Sequence, residues 1–239
     1  MIRRLLESVL QLRGEGRRFH EAFIEMAEGL RPASLLDLGC DDGGWTLKLA
    51  GRLGVPTQAV FGTEIASSRV GQARPGFEVF ELDLEKTPFP LGDQSIELVA
   101  ANQVLEHLKE VFFCLAECER VLKTGGHLAL GVPNLSGLVN RAYLLAGRQP
   151  MCLEFPGPHV RGFAYRAFSA FLRSNPAFEL VGTRGSSLYP FPPPVLEAGA
   201  KLLPGWSAYS FYLLRKVEHR PRSAWLKWAE TLDASRFKH

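Results

Sequence analysis

Ser34-Leu-Leu-Asp-Leu-Gly-Cys-Asp-Asp-Gly-Gly44 is the stretch on which the fold turns. Its first residues are an apolar run of the length and continuity that a strand buried on both faces requires. A glycine-rich turn follows at once, and from Trp45 to Leu53 the apolar positions recur at helical spacing. Strand, tight turn and helix in that order open a βαβ unit.

The same alternation continues downstream. Ala59–Thr63 is expected as a strand, Ala66–Ala73 as a helix, Phe77–Leu82 and Ile96–Ala101 as strands, and Leu105–Leu122 as a long helix broken near Lys109. Thr124-Gly125-Gly126 is expected to end that helix, and His127–Val132 to form the next strand. Strands separated by helices of this length form parallel units with right-handed crossovers, hence an open doubly wound α/β sheet with its cofactor at the carboxyl ends of the first strands. Upstream, apolar spacing predicts a helix over residues 2–12, broken by Gly14 and Gly16, and a second from Phe19 to Leu30 that stops before Pro32. After Pro133 come a helix over Leu138–Ala146, a Pro/Gly-rich loop from Gln149 to Gly162 and a helix over Tyr165–Arg173. Strands over Phe178–Thr183 and Tyr209–Val217, with a short helix between them, suit an antiparallel hairpin at the sheet edge, and the tail from Pro221 can be helical.

Composition sets bounds on this reading. With 239 residues, 46 % hydrophobic and 22 % charged, the chain is neither disordered nor in need of covalent staples. Cys40, Cys114, Cys118 and Cys152 are too few and scattered for a disulfide scaffold; Cys114 and Cys118 lie one helical turn apart and read as core, so no metal site is expected. No run nears the roughly 18 apolar residues of a membrane span, and Glu7, Gln11 and Arg13 interrupt any leader-like core, so a cytoplasmic location is expected. The net charge of +3 hides an asymmetry: residues 1–140 carry 14 Lys/Arg against 19 Asp/Glu, whereas residues 141–239 carry 14 against 6.

The turn itself argues against a dinucleotide. A G-x-G-x-x-G fingerprint from Gly39 to Gly44 would need glycine at position 41, which is aspartate. Asp37, Asp41 and Asp42 would crowd a diphosphate at a cost of ~1 kcal/mol per close pair even in water. A cationic, phosphate-free cofactor suits them, and S-adenosylmethionine carries an ammonium and a sulfonium. Glu64, at the tip of the second strand, is placed to accept ribose hydroxyls; Asp83 ends the third strand, where an adenine amino group would lie; Asn102 follows the fourth. Each could alone be a helix cap. Together and in order they form a binding set.

Leu35-Leu-Asp-Leu-Gly-Cys-Asp-Asp-Gly43, Gly62-Thr-Glu-Ile65, Glu81-Leu-Asp-Leu-Glu-Lys-Thr-Pro-Phe-Pro90, the segment Ile96–Leu108 and Arg120-Val-Leu-Lys-Thr-Gly-Gly-His-Leu128 resemble the class I S-adenosylmethionine-dependent methyltransferases. Within them the resemblance is strongest to the group that includes the ubiquinone-biosynthesis O-methyltransferases. It covers residues 30–135, and more weakly His159-Val-Arg-Gly-Phe163 and Asn175-Pro-Ala-Phe-Glu-Leu-Val181. It implies a seven-stranded, mostly parallel sheet whose last strand is antiparallel, and cofactor contacts at Asp37, Gly39, Glu64, Asp83 and Asn102. Asp41, Gly43 and Leu84 complete the candidate set. Asp41 stands where the family has the loop's middle glycine, and Thr124 where it has proline.

The domain layout expected is N-terminal helices over 1–31, the methyltransferase domain over 32–217 with an acceptor-covering segment at 134–164, and a tail over 218–239. Methyl transfer needs a base only if the acceptor must lose a proton. His159, in the covering loop, and His107, beside the cleft, are the candidates, His107 with a structural role as the alternative. Arg161 and Tyr165 are candidate acceptor contacts. The aromatic and arginine-rich C-terminal part suggests a small-molecule or lipid-linked acceptor, amphiphilic with an anionic group. The basic, apolar-striped N-terminal helix and the Trp225/Trp228 tail could lie on a membrane surface, on the inner face, or pack on protein. Two further functions stay open: a tRNA or RNA methyltransferase, disfavoured by the lack of a Lys/Arg run or appended RNA-binding module, and a non-catalytic cofactor- or partner-binding protein. Oligomeric state is not addressed by these residues.

Overall fold

The computed structural model describes residues 15–65, 76–191, 193–221, 224, 227, 230 and 231. The expected helices at 2–12 and 66–73 lie outside these residues; in the tail, Ala224, Lys227, Glu230 and Thr231 are helical. In chain order the elements are α1 (Glu15–Ala27), β1 (Leu35–Leu38), α2 (Gly44–Leu53), β2 (Val60–Glu64), β3 (Glu78–Glu81), β4 (Ile96–Asn102), α3 (Val111–Val121), β5 (Leu122–Pro133), α4 (Leu138–Leu145), α5 (Tyr165–Ser174), β6 (Phe178–Ser186), α6 (Pro193–Leu202) and β7 (Tyr209–Lys216).

They build a seven-stranded sheet in the order β3-β2-β1-β4-β5-β7-β6. Neighbours from β3 to β5 are parallel, and β7 is antiparallel to both β5 and β6. All four residues of β1 are buried, as the continuous apolar run demands. Alternate residues feed opposite cores. Leu36, Leu38, Val99, Ala101, Leu128 and Leu130 pack with Cys114, Leu115 and Cys118 of α3 and Phe168 and Leu172 of α5. On the other face Leu35, Leu98, Ala100, Ala129 and Phe211 meet Phe23, Ile24 and Ala27 of α1 and Leu49, Ala50 and Leu53 of α2. The helix at 15–27 therefore packs into the core on one face of the sheet. Cys114 and Cys118 are fully buried core residues.

Two expectations shift and a third is located. Gly16 lies inside α1, not at a break; one glycine costs only about 1 kcal/mol in a helix, and the apolar face of α1 outweighs that. The long helix is two pieces, a 3-10 turn over Leu105–His107 and then α3, which places the expected break at Leu108–Glu110. Thr124-Gly125-Gly126 does not end a helix: α3 stops at Val121, β5 starts at Leu122, and the glycines lie in an irregularity of β5 where its register with β4 shifts between Ile96 and Leu98. Gly125 is left-handed at φ 85°, and a Cβ on Gly126 would lie 2.9 Å from the carbonyl oxygens of Glu97 and Lys123. The glycines serve a strand kink. Among the described residues no helix is long and apolar enough to cross a membrane.

Candidate active site

The parallel strands deliver Asp37, Glu64 and Asn102 to one edge of the sheet, and the β1–α2 turn folds over it. Gly39, Asp41 and Gly43 are all left-handed, with φ of 67°, 49° and 76°. Aspartate tolerates that region better than most residues, so the substitution at position 41 preserves the loop. The turn is held by its neighbours on β2: Thr63 O accepts from Cys40 N at 2.9 Å, and Glu64 Oε2 from Asp41 N at 3.1 Å. Glu64 Oε1 accepts from Ile65 N at 2.9 Å, so each carboxylate oxygen is oriented by a backbone N–H.

A cavity of about 480 Å³ opens here, with Asp37, Gly39, Asp41, Asp42 and Asn102 in its wall, joined by His20, Cys40, Gly44, Trp45 and Lys48. Its lining carries three carboxylates. Lys48 is committed to Glu21 by a salt bridge, and burial, aided by Lys48, pushes His20 down to about 4, leaving a neutral imidazole. Asn102 Oδ1 and Trp45 Nε1 are buried without a hydrogen-bond partner. The Asn102 oxygen is an acceptor waiting for a donor, and the acids favour a cation. A group with an ammonium and a sulfonium, and no phosphate, fits this donor set. Gly131 across β5 makes room for it: a Cβ there would lie 2.3 Å from Asn102 Oδ1.

Asp37 is 4 % exposed and accepts from Thr46 Oγ1 at 2.5 Å. Burial pushes its carboxyl up to about 7 from 3.8, against the Thr46 hydrogen bond. Between those pH values the fold keeps a proton that the unfolded chain loses. The favourable contribution is present below pH 4 and is lost as pH rises through 7, by on the order of 4 kcal/mol. Asp37→Asn should therefore gain stability over the parent as pH rises. Urea unfolding at pH 5 and pH 8 measures this; a constant difference between the two proteins would contradict it.

Asp83 lies two residues beyond β3, its Oδ1 accepting from Glu85 N at 2.9 Å and its Oδ2 paired with Lys86 at 3.1 Å. The Glu85 N–H, then Lys86, hold its carboxyl below the usual range. Neither Asp83 nor the buried Leu84 lines the cavity, nor do Glu64 and Gly43, which shape its loop.

The residue after Asn102 opens a second cavity. Gln103, left-handed at φ 60°, lines a space of about 220 Å³ with Asn140, Met151, Cys152, His159, Tyr189, Trp206 and Tyr209. Of the four described non-glycine residues with positive φ, Asp41, Gln103 and Ser187 line one of these two cavities. Such strain concentrates at functional sites. The covering segment is pinned by two asparagines. Asn134 Nδ2 donates to Ser207 O at 2.8 Å and its Oδ1 accepts from Ser136; Asn140 donates to Asn134 O and Cys152 Sγ and accepts from Met151 N.

His159 thus lines the second cavity, its Nδ1 2.8 Å from Cys152 O. His107 does not line it, but its ring lies 4.7 Å from that of His159, and its Nδ1 is 3.3 Å from Pro158 O. Burial lowers the His107 pKa. Arg161 is spent on the backbone, donating to Lys109 O at 2.7 Å. Tyr165 stacks on Tyr212 and shares a hydrogen bond with Thr183 Oγ1, away from the lining. Glu106 was not anticipated: it is 1 % exposed in the 3-10 turn, and burial pushes it up to about 7. Its signal in the sequence is a carboxylate set among apolar residues beside a histidine.

Residues 36–130 match a protein family described as a methyltransferase domain. Over 118 residues the chain is 30 % identical to a Mycobacterium tuberculosis protein named a probable S-adenosylmethionine-dependent methyltransferase, covering 49 % of this chain and 42 % of that protein. Over 105 residues it is 30 % identical to the malonyl-[acyl-carrier protein] O-methyltransferase of Methylococcus capsulatus, covering 42 % of this chain and 38 % of that one. The chain described as a methyltransferase in complex with the Haloferax volcanii Trm112 methyltransferase activator superposes with a TM-score of 0.59 at 16 % identity, over 87 % of this chain and 92 % of that chain. At that identity the likeness shows the fold. The matches span about two fifths of the length of these curated relatives.

Proposed function

We propose that this chain, whose residues 36–130 match a methyltransferase domain, is an S-adenosylmethionine-dependent methyltransferase of class I and methylates a small-molecule or lipid-linked acceptor that is amphiphilic and carries an anionic group. One observation carries the reading: consecutive residues at the end of β4 line two cavities, Asn102 the acidic one and Gln103 the aromatic one. Donor and acceptor would meet at that peptide.

When bound, S-adenosylmethionine supplies an activated methyl group on its sulfonium. The chain's own residues hold and orient. Asp37, Asp41 and Asn102 face the cationic end; Glu64 is oriented toward the ribose, a carboxylate having about four acceptor positions; Asp83 and Leu84 would serve the adenine. Rate then comes from alignment and exclusion of water, which is the task of the segment 134–164. With its Nδ1 proton directed at Cys152 O, His159 has Nε2 as an acceptor beside the bound acceptor molecule.

The acceptor class is supported by the wall of the second cavity. Met151 and Trp206 line it while 40 % and 43 % exposed, and Leu145 and Phe155, on the flanking covering segment, are 90 % and 85 % exposed. An apolar tail can lie along such a rim. Trp206, one of the lining residues, carries the Arg141 guanidinium at 4.5 Å from its ring, next to the cavity and not in its lining.

A methyl-transfer screen with labelled cofactor over cell extract, split into lipid, small-molecule and RNA fractions, tests the assignment; label confined to RNA would overturn it. His159→Ala should lower turnover at least a hundredfold, the scale of a lost proton acceptor, with cofactor affinity within about twofold of the parent. Unchanged turnover removes His159 from the mechanism.

A further inference from the structure

We propose that the indole N–H of Trp45, held in place by His20 and Phe23 of α1, binds the carboxylate at the methionine end of S-adenosylmethionine. The cavity then reads that end as a zwitterion and discriminates against forms of the cofactor that lack the carboxylate. The inference rests on the cofactor assignment made above. It adds to it a role for α1 (Glu15–Ala27), which lies outside the matched span 36–130.

The acids of the cavity account for only half of the group it must hold. The methionine end carries a carboxylate beside its ammonium, and a carboxylate set against Asp37, Asp41 and Asp42 is repelled. The composition of the wall resolves this. The acids and Asn102 come from β1, β4 and the turn after β1. The helices supply His20 from α1 and Trp45 and Lys48 from α2, and none of these three is negatively charged.

On the helical side one donor is unspent. Trp45 Nε1 is buried without a hydrogen-bond partner. An indole nitrogen can only donate, and a buried donor costs free energy until an acceptor meets it. A carboxylate oxygen is such an acceptor, and its charge strengthens the bond. The indole is aimed by α1: the fully buried Phe23 meets it edge-on at 5.3 Å and is itself braced edge-on by Phe211 of β7 at 5.9 Å, while the His20 ring lies 5.3 Å from the indole. Burial, aided by Lys48, pushes His20 down to about 4, so this neighbour is uncharged and leaves the cofactor's ammonium unrepelled. Lys48 follows Trp45 by three residues, on the same face of α2, but its charge is shared with Glu21. The directional donor at this wall is therefore the indole.

Calorimetric titration of the full-length protein with S-adenosylmethionine and with decarboxylated S-adenosylmethionine, which keeps the ammonium and the sulfonium, tests this. The parent should bind the complete cofactor at least tenfold more tightly, the scale of one hydrogen bond to a charged group. Trp45→Phe keeps the ring and deletes the N–H; it should weaken S-adenosylmethionine about tenfold and leave the decarboxylated form within twofold of the parent, which also shows that the variant folds. In proton NMR spectra the indole N–H signal missing from Trp45→Phe should move when the parent binds S-adenosylmethionine and stay in place with the decarboxylated form. Equal affinity of the parent for the two compounds, a result that needs no variant, overturns the inference and leaves the cofactor assignment standing. Equal weakening of both compounds in Trp45→Phe also overturns it and makes Trp45 a packing residue of the wall. Binding of neither compound by the parent overturns the cofactor assignment and this inference with it.

Discussion

Glu64→Ala is expected to raise the dissociation constant for S-adenosylmethionine at least a hundredfold. The carboxylate is 9 % exposed and accepts the N–H of Asp41 from the turn and the N–H of Ile65 from the end of β2. Removing it releases the turn on one side of the cavity and, on the proposed reading, takes away the acceptor for the ribose hydroxyls. Hydrogen bonds to a charged group contribute about 1.5–3 kcal/mol each, so the loss of two is worth roughly 3 kcal/mol or more, a hundredfold in affinity. Glu64→Gln keeps one acceptor oxygen and should fall between parent and alanine. Isothermal titration measures both. A change below tenfold in the alanine variant would mean that Glu64 serves the loop alone.

The acidic cavity was legible because its geometry is local. A strand, a glycine turn and the helix after it are adjacent in sequence, and the edge where β1, β2 and β4 end follows from the βαβ rule. Asp37, Glu64 and Asn102 could therefore be placed by counting strands. Asp83 could be counted too, yet β3 stops at Glu81 and Asp83 opens the turn that follows, where its carboxylate is taken by Glu85 N and Lys86. Thr124-Gly125-Gly126 misled for a related reason. Glycines after a helix and glycines in a kinked strand look alike until the partner strand is known.

The second cavity was much less legible. It joins Gln103 to His159, Tyr189 and Trp206, residues that no local period connects. Buried side chains gave ambiguous signals as well: Glu106 carries the same letter as a surface glutamate, and its burial follows from the loop that folds over it. The charge asymmetry was real, but folding partly cancels it. Arg184 and Lys201 pair with Glu25, Arg215 with Glu179 and Arg220 with Glu218, so many cations of the C-terminal part face their own chain.

Lys216 carries that cancellation into the core, and its loss should be the most destabilising single change at the sheet. Its Nζ lies 3.0 Å from Glu119 Oε1, with both side chains fully buried, and donates to the carbonyl oxygens of Glu119 and Leu122 at 2.6 and 2.7 Å. Glu119 Oε1 also accepts from Arg220 N at 3.0 Å, tying the chain after β7 to the end of α3. Lys216→Met removes these three interactions and the contact with His219 Nδ1 at 3.0 Å, and leaves a buried carboxylate without its cation. Breaking one half of such a pair costs about 3–5 kcal/mol, which for a chain of this size lowers the thermal midpoint by roughly 10 °C. Adding Glu119→Gln removes the stranded charge, so the double variant should be more stable than the sum of the single losses predicts, by about 1–3 kcal/mol. Additive losses would show that the pair is not coupled. Because β7 runs antiparallel, Lys216 lies at the end of the sheet opposite the acidic cavity. Cofactor affinity measured well below the midpoint should therefore match the parent, which separates this stability effect from the site effect of Glu64.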